Sequence, residues 1–234
     1  MNAAPRGVFI TGTDTGVGKT RIAVGLIRAL VQQGMQVVGM KPIASGSDLT
    51  ADGLRNADAL ALCAAANVKR PYASVNPYCF APAISPHIAA QEAGVEVDCG
   101  LLRAEFQALA RTAEFVVVEG AGGWHAPINA TQTMADLALG LQIPLLLVVG
   151  LRLGCLNHAQ LTREALQASG VPFAGWIGNV IDPQFERLED NLLRLERSLG
   201  AAALAVLAFQ PHEDPAPALR AAALRCLRYP GFYG

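Results

Sequence analysis

The sequence predicts an α/β fold: a doubly wound, mainly parallel central sheet with helices on both faces. Three observations predict it. Short apolar runs alternate with amphipathic stretches along the chain, the order that βαβ units with right-handed crossovers require. The composition is 52% hydrophobic and only 16% charged, which suits strands covered on both faces. The first apolar run leads straight into a glycine-rich loop that opens a helix, T-G-T-D-T-G-V-G-K-T at 11–20. The 234 residues are enough to bury roughly 70–75% of the unfolded surface. No linker, repeat or low-complexity tract divides them, so one domain over 1–234 is expected.

Gly7–Thr11 is the first strand. Thr20–Gln33 is the first helix, with Ile22, Leu26, Ile27 and Leu30 on one face and Gly34 as its stop. Gln36–Met40 is the second strand, and Lys41–Leu49 (KPIASGSDL) reads as loop. Arg55–Ala66 reads as helix. Residues 71–86, with four prolines and two tyrosines, form an irregular segment long enough to be a functional loop or lid. Helices follow at Leu101–Ala110, Ala135–Leu141, Asn157–Ala168, Arg187–Leu199 and Ala216–Leu227. Strands are expected at Phe115–Val118, Leu145–Val149, Phe173–Ile181 and Leu204–Leu207.

A net charge of −1 supplies no field for nucleic acid or an anionic membrane. The longest apolar run, 137–151, contains Gln142 and Pro144 and stops at Arg152, too broken for a bilayer. Five cysteines without CxxC spacing read as reduced packing thiols of a cytoplasmic protein. No charged-then-apolar leader is present, so secretion is not expected. His87, His125, His158 and His212 lack metal-ligand spacing.

The loop carries the first chemistry. Gly18-Lys19-Thr20 matches the end of a P-loop: Lys19 can neutralise β- and γ-phosphate oxygens, and the Thr20 hydroxyl can ligate Mg²⁺. The lead-in differs. The pattern wants glycine at 13, where Thr13 stands, and Gly12 is one position early. With this loop the predicted fold becomes P-loop NTPase-like. Lys41 and Ser45 follow the second strand, on the sheet edge where such folds bind ligands; Lys41 brings a second cation there, or is a solvated loop lysine. Glu119 ends an apolar strand ahead of Gly120-Ala121-Gly122-Gly123. A carboxylate there is costly without a cation or donor, and a Mg²⁺ shared with ATP would supply one. Asp58 is a second acid, equally readable as a helix cap. Asn179, closing GWIGN, can read a base edge with one donor and one acceptor, or cap a turn.

Together these stretches resemble the dethiobiotin synthetase family. The matching pieces are GTDTGVGKT (12–20), KPIASGS (41–47), LRNADALAL (54–62), VNPYCFAPAISPHIAAQ (75–91), VVVEGAGGW (116–124), VVGLRLGCLNHA (148–159) and GWIGN (175–179). They stand in the family's order from Gly7 to about Pro183. The resemblance implies ATP-dependent carboxylation and ring closure of 7,8-diaminopelargonate with CO₂, through a carbamate and a carbamic–phosphoric anhydride, in biotin biosynthesis. It implies Lys19, Lys41 and Ser45 as catalytic residues. Thr15, Gly16, Val17, Gly18, Lys19, Thr20, Asp58, Glu119 and Asn179 would bind the nucleotide, with Thr20, Asp58 and Glu119 on Mg²⁺. Lys41, Ser45, Gly122 and Gly123 would line the substrate. Leu153, Gly154 and Asn157, at a helix start, would hold the substrate's carboxylate across a two-fold homodimer. The sequence departs from the family at Gly16, where some relatives carry an acid, at His125, and around Phe209-Gln210-Pro211. Partition and division-site ATPases share the fold but carry an extra lysine where this loop has Asp14. A corrin-modifying synthetase would need a second domain, and a plain small-molecule kinase would leave a stable phosphorylated product.

Overall fold

The computed structural model describes residues 6–210 and 212–229. Six strands form the central sheet: β1 (Gly7–Gly12), β2 (Val37–Met40), β7 (Phe115–Glu119), β8 (Leu145–Leu151), β9 (Phe173–Val180) and β10 (Ala205–Leu207). Their order is β10-β9-β8-β1-β7-β2, and each neighbouring pair is parallel. Between β2 and β7 lie the short strands β3 (Ile43–Ala44), β4 (Asp48–Thr50), β5 (Gly53–Arg55) and β6 (Tyr78–Cys79). The helices are α1 (Lys19–Gln32), α2 (Ala57–Ala65), α3 (Tyr72–Val75), α4 (Pro86–Glu92), α5 (Cys99–Ala110), α6 (Met134–Leu141), α7 (Cys155–Ser169), α8 (Leu188–Leu199) and α9 (Arg220–Leu227).

The sheet alternation divides the core in two, because successive strand residues point to opposite faces. Val8, Ile10, Val117, Leu146 and Val148 pack with Ile22, Leu26, Ile27 and Leu30 of α1 and with Ala222, Ala223 and Cys226 of α9. Phe9, Val116, Val118, Leu147 and Trp176 pack on the other face with Leu102 and Phe106 of α5, Leu137 of α6, Leu166 of α7 and Leu195 of α8. Both faces are therefore covered, as the apolar runs predict. The connection leaving β1 runs to one side of it and those leaving β7 and β8 to the other, which opens the crevice at the carboxyl ends of the strands.

The sequence reading misses the small elements. The stretch 41–49, expected as loop, holds β3, which pairs in parallel with β6, and β4, which forms an antiparallel hairpin with β5. Two- and three-residue strands leave no periodicity to read. The proline-rich segment is expected to be irregular, yet it contains α3 and ends on the first residue of α4. Pro71 is the N-cap of α3 and Pro86 opens α4, positions where a missing N–H costs nothing. The last helix starts at Arg220, after turns over 216–219, rather than at Ala216. All five cysteines are unpaired. Pro211, the last residue of the atypical segment noted above, lies outside the described residues.

Candidate active site

The phosphate loop turns on two left-handed glycines, Gly16 (φ 74) and Gly18 (φ 93), conformations that cost a side-chain residue about 1–2 kcal/mol. Gly12, the early glycine, closes β1. A Cβ there would lie 2.6 Å from Val17 Cγ2 and 3.2 Å from Lys19 Nζ. Gly12 thus supplies the close approach that the usual pattern assigns to position 13. Lys19, the first residue of α1, is buried and donates from Nζ to the Asp14 carbonyl at 3.0 Å. Burial, then repulsion from Lys41, lowers its pKa to about 8. Arg152, just past β8, pairs with the Asp14 carboxylate at 2.8 Å.

Lys41 follows β2 directly and is 5% exposed. Its backbone is held from both sides: its N–H donates to Val75 O at 2.8 Å, and its carbonyl accepts from Asn76 Nδ2 at 2.7 Å. The proline-rich segment thus fixes the strand tip. Lys41 Nζ donates to Glu119 Oε1 at 2.6 Å and to Asp58 Oδ2 at 3.0 Å. Burial opposes its charge, but the Glu119 and Asp58 carboxylates outweigh that and hold its pKa above the ordinary lysine value. Burial pushes the Glu119 carboxyl up, against the pull of Lys41. Asp58 is desolvated too, but the Lys41 ammonium outweighs this and holds it below the ordinary carboxylate range. Thr20 Oγ1 donates to Glu119 Oε1 at 2.8 Å.

These groups surround a pocket of about 310 Å³ lined by Thr15, Gly16, Gly18, Lys19, Thr20, Lys41, Ser45, Asp58, Glu119 and Gly122, together with Ala44, Asn56 and Ala121. A second cavity of about 510 Å³ shares Thr15, Ser45, Ala121 and Gly122 with it. This one runs on past Gly123, Ala126 and Pro127 toward Ile84 and Pro86. One end of the space is cationic and polar, the other apolar.

The donor set fits a hard cation. Glu119 Oε2 is buried with no partner, and Thr20, Glu119 and Asp58 offer only oxygen. Among the described residues no cluster of three or more His, Cys, Asp or Glu could hold a metal. Two carboxylates and a hydroxyl are a donor set of the kind Mg²⁺ takes when water and phosphate oxygens complete its shell.

The other expected residues lie elsewhere. Val17 is buried, its side chain packed beneath the loop against Gly12, so only its backbone can face a ligand. Leu153, Gly154 and Asn157 are exposed at the start of α7 and do not line the pocket. Asn179, expected to read a base, has both side-chain polar atoms engaged. Nδ2 donates to Val17 O at 2.9 Å and Oδ1 accepts from Arg21 at 2.9 Å, leaving one hydrogen and one lone pair. Asn56 was not singled out from sequence. It caps α2 by accepting from Asp58 N and Ala59 N, and Nδ2 lies 3.4 Å from Ser45 O and 3.3 Å from Gly46 O. Its signal was present in the Asn-x-Asp start of a helix.

A parallel strand, a glycine-turned loop and a helix whose first residue is the loop's lysine define a P-loop nucleotide-binding protein. Solved structures share the fold. The MinD cell division protein of Aquifex aeolicus aligns with a TM-score of 0.59 over 95% of this chain and 97% of its own, at 14% identity. A ParA family ATPase from Chlorobium tepidum TLS aligns at 0.57 over 94% and 99%, at 13% identity. A family model described as an AAA domain matches residues 6–215. Sequence relatives are far more similar. The ATP-dependent dethiobiotin synthetase BioD of Pseudomonas aeruginosa strain PAO1 is 50% identical over 197 residues, 84% of this chain and 86% of the relative. That of Xanthomonas oryzae pv. oryzae strain PXO99A is 46% identical over 212 residues, 91% and 95% of the two chains. The chain belongs to the dethiobiotin synthetase family, ATP-dependent enzymes of biotin biosynthesis.

Proposed function

We propose that this chain converts 7,8-diaminopelargonate, CO₂ and ATP to dethiobiotin, ADP and phosphate in the paired cavities. One amine takes up CO₂ as a carbamate. A carbamate oxygen attacks the γ-phosphorus, ADP leaves, and a carbamic–phosphoric anhydride results. The second amine attacks the carbonyl carbon, the ureido ring closes and phosphate departs. The observation that carries this reading is the buried Lys41 ammonium, held by Glu119 and Asp58 on the same pocket as Lys19. Phosphoryl transfer needs positioning and charge neutralisation rather than covalent help, and two cations facing one space provide both. Lys19, with the N–H groups of 15–20, would hold the triphosphate. Lys41 and Ser45 would hold the carbamate. Gly122 and Gly123 leave room for the substrate beside the apolar cavity. Thr20, Glu119 and Asp58 would hold a Mg²⁺, which would supply charge neutralisation at the phosphate oxygens.

The exposed helix start at Leu153, Gly154 and Asn157 has its place in this reading as part of a partner subunit's site. A helix N-terminus suits the substrate's carboxylate, and Leu153 is 88% exposed. The same reading takes the chain as one domain acting in the cytoplasm, with no nucleic-acid or membrane partner. Among the described residues no helix is long and apolar enough to cross a membrane.

Phosphate release measured with diamine, bicarbonate, Mg²⁺ and ATP tests the reaction. Release should need both diamine and bicarbonate and should yield dethiobiotin; diamine-independent hydrolysis or a stable phosphorylated product would overturn it. Light scattering tests the assembly, and a fully active monomer would refute the shared site.

A further inference from the structure

Arg21 stands in the first turn of α1, directly after the phosphate loop, and is half-buried, its guanidinium turned back onto the protein. Nη1 donates to Asn179 Oδ1 at 2.9 Å and to Ala208 O at 3.1 Å, and Nη2 donates to Gln210 O at 2.8 Å. Nε is buried without a partner, so the two Nη groups make all of these contacts. One side chain thereby ties three pieces together: α1, the end of β9, and the segment that follows β10. A cavity of about 360 Å³ borders Arg21 and shares Thr20 with the phosphate pocket.

The hydrogen bonds also fix the Asn179 amide. A guanidinium only donates and a carbonyl only accepts. With Arg21 on one side and Val17 O on the other, Oδ1 must face Arg21 and Nδ2 must face Val17 O. A flipped amide would set two acceptors face to face and its N–H groups against a cation. Nδ2 also packs on the loop, since a Cβ at Gly18 would fall 2.2 Å from it. The remaining hydrogen and lone pair of Asn179 therefore point in fixed directions. Adenine and guanine present opposite donor and acceptor orders at the 6-position: an amino group on one, a carbonyl on the other.

We propose that Arg21 is a positioning residue that sets nucleotide selectivity: it locks the Asn179 amide in one sense and pins residues 208–210 beside the phosphate pocket, without touching the reacting phosphate. This rests on the reading that Asn179 faces the base of a bound ATP.

The test is steady-state phosphate release by Arg21→Lys and Arg21→Met, with ATP or GTP varied at saturating diamine and bicarbonate. For Arg21→Met the KM for ATP should rise on the order of tenfold, as for one lost charge-assisted contact, with the change carried by KM rather than kcat. The ATP-over-GTP ratio of kcat/KM should fall toward one, and Arg21→Lys should restore part of it. An unchanged ATP KM and ratio in both variants, or a loss confined to kcat, would overturn the proposal. ADP titration by calorimetry of wild type and Arg21→Lys reads the same role without turnover, so a wild-type protein that releases no phosphate would refute the reaction and leave the Arg21 question decided by affinity: weaker ADP binding supports it, equal binding refutes it.

Discussion

Replacing Lys41 by Met separates a structural pair from a decorative one. Glu119 is 1% exposed. In the variant its Oε1 loses the ammonium at 2.6 Å and keeps only the Thr20 hydroxyl, while Oε2 already has no partner. An uncompensated buried carboxylate costs about 3–5 kcal/mol. Glu119 can escape by taking up a proton, at 1.36 kcal/mol for each pH unit above the ordinary value of 4.5, or about 3.4 kcal/mol at pH 7. The cheaper route wins, so the loss is at most about 3 kcal/mol at pH 7, reduced by the part that burial already costs the raised Glu119 carboxyl in wild type. The sign of its pH dependence follows. With its carboxyl pKa raised in the folded variant, the native state binds more protons than the unfolded chain, and stability falls as pH rises above 4.5. The deficit against wild type should therefore shrink on acidification, to at most about 0.7 kcal/mol at pH 5. Adding Glu119→Gln should recover most of the loss at pH 7, because no buried charge is left without a partner. Urea unfolding followed by tryptophan fluorescence, from Trp124 and Trp176, both buried, measures each case. Wild-type stability for Lys41→Met at pH 7, or a deficit as large at pH 5 as at pH 7, would refute the reasoning.

Three further outcomes are expected. Gly18→Ala must place a Cβ 2.2 Å from Asn179 Nδ2 at φ +93, so ADP affinity should fall at least on the order of tenfold; an unchanged titration would contradict the loop geometry. Burial lowers the Lys19 pKa to about 8 in the ligand-free protein, so triphosphate affinity should decline above that pH. Lys19→Arg should abolish that decline, since arginine stays charged, and calorimetry across the range reads both. Asn56→Ala removes the cap of α2, at about 1 kcal/mol, and loosens Ser45 and Asp58 together. Its thermal midpoint should drop and its KM for the diamine should rise, whereas a purely local cap would change only the midpoint.

The sheet was legible because its strands are apolar on both faces and its helices carry one apolar stripe. Ile22, Leu26, Ile27 and Leu30 are spaced for a helix and are fully buried in one. The short strands β3 to β6 were not legible: β3 and β6 pair residues far apart in sequence, such as Ile43 with Tyr78, and the three-residue strands of the β4–β5 hairpin are too short to show an alternation. The site divides the same way. Lys19, Thr20 and Glu119 announce themselves by position at a loop or a strand tip. Arg21 gives no such signal, and Asn56 signals only its cap: the contacts of Arg21 with Asn179, Ala208 O and Gln210 O, and of Asn56 Nδ2 with Ser45 O and Gly46 O, join residues that only the folded chain brings within reach.

Fold likeness and chemistry separate at the tips of the strands. MinD and ParA proteins share this sheet at 13–17% identity, so the sheet cannot be what selects a reaction. The slot where a partition ATPase is expected to carry a lysine holds Asp14. Its carboxylate accepts from Thr15 N at 2.7 Å and pairs with Arg152 at 2.8 Å, while its carbonyl accepts from Lys19 at 3.0 Å. An added cation at that slot would repel Arg152 and leave no carboxylate for Thr15 N. The second cation of this pocket comes instead from Lys41, at the end of a different strand. It can stay charged there because Glu119 and Asp58, on two further elements, converge on it. Changing the lysine's position in such a fold means moving its carboxylates as well, which is why a lysine at the end of β2 and a glutamate at the end of β7 say more about the reaction than the phosphate loop does.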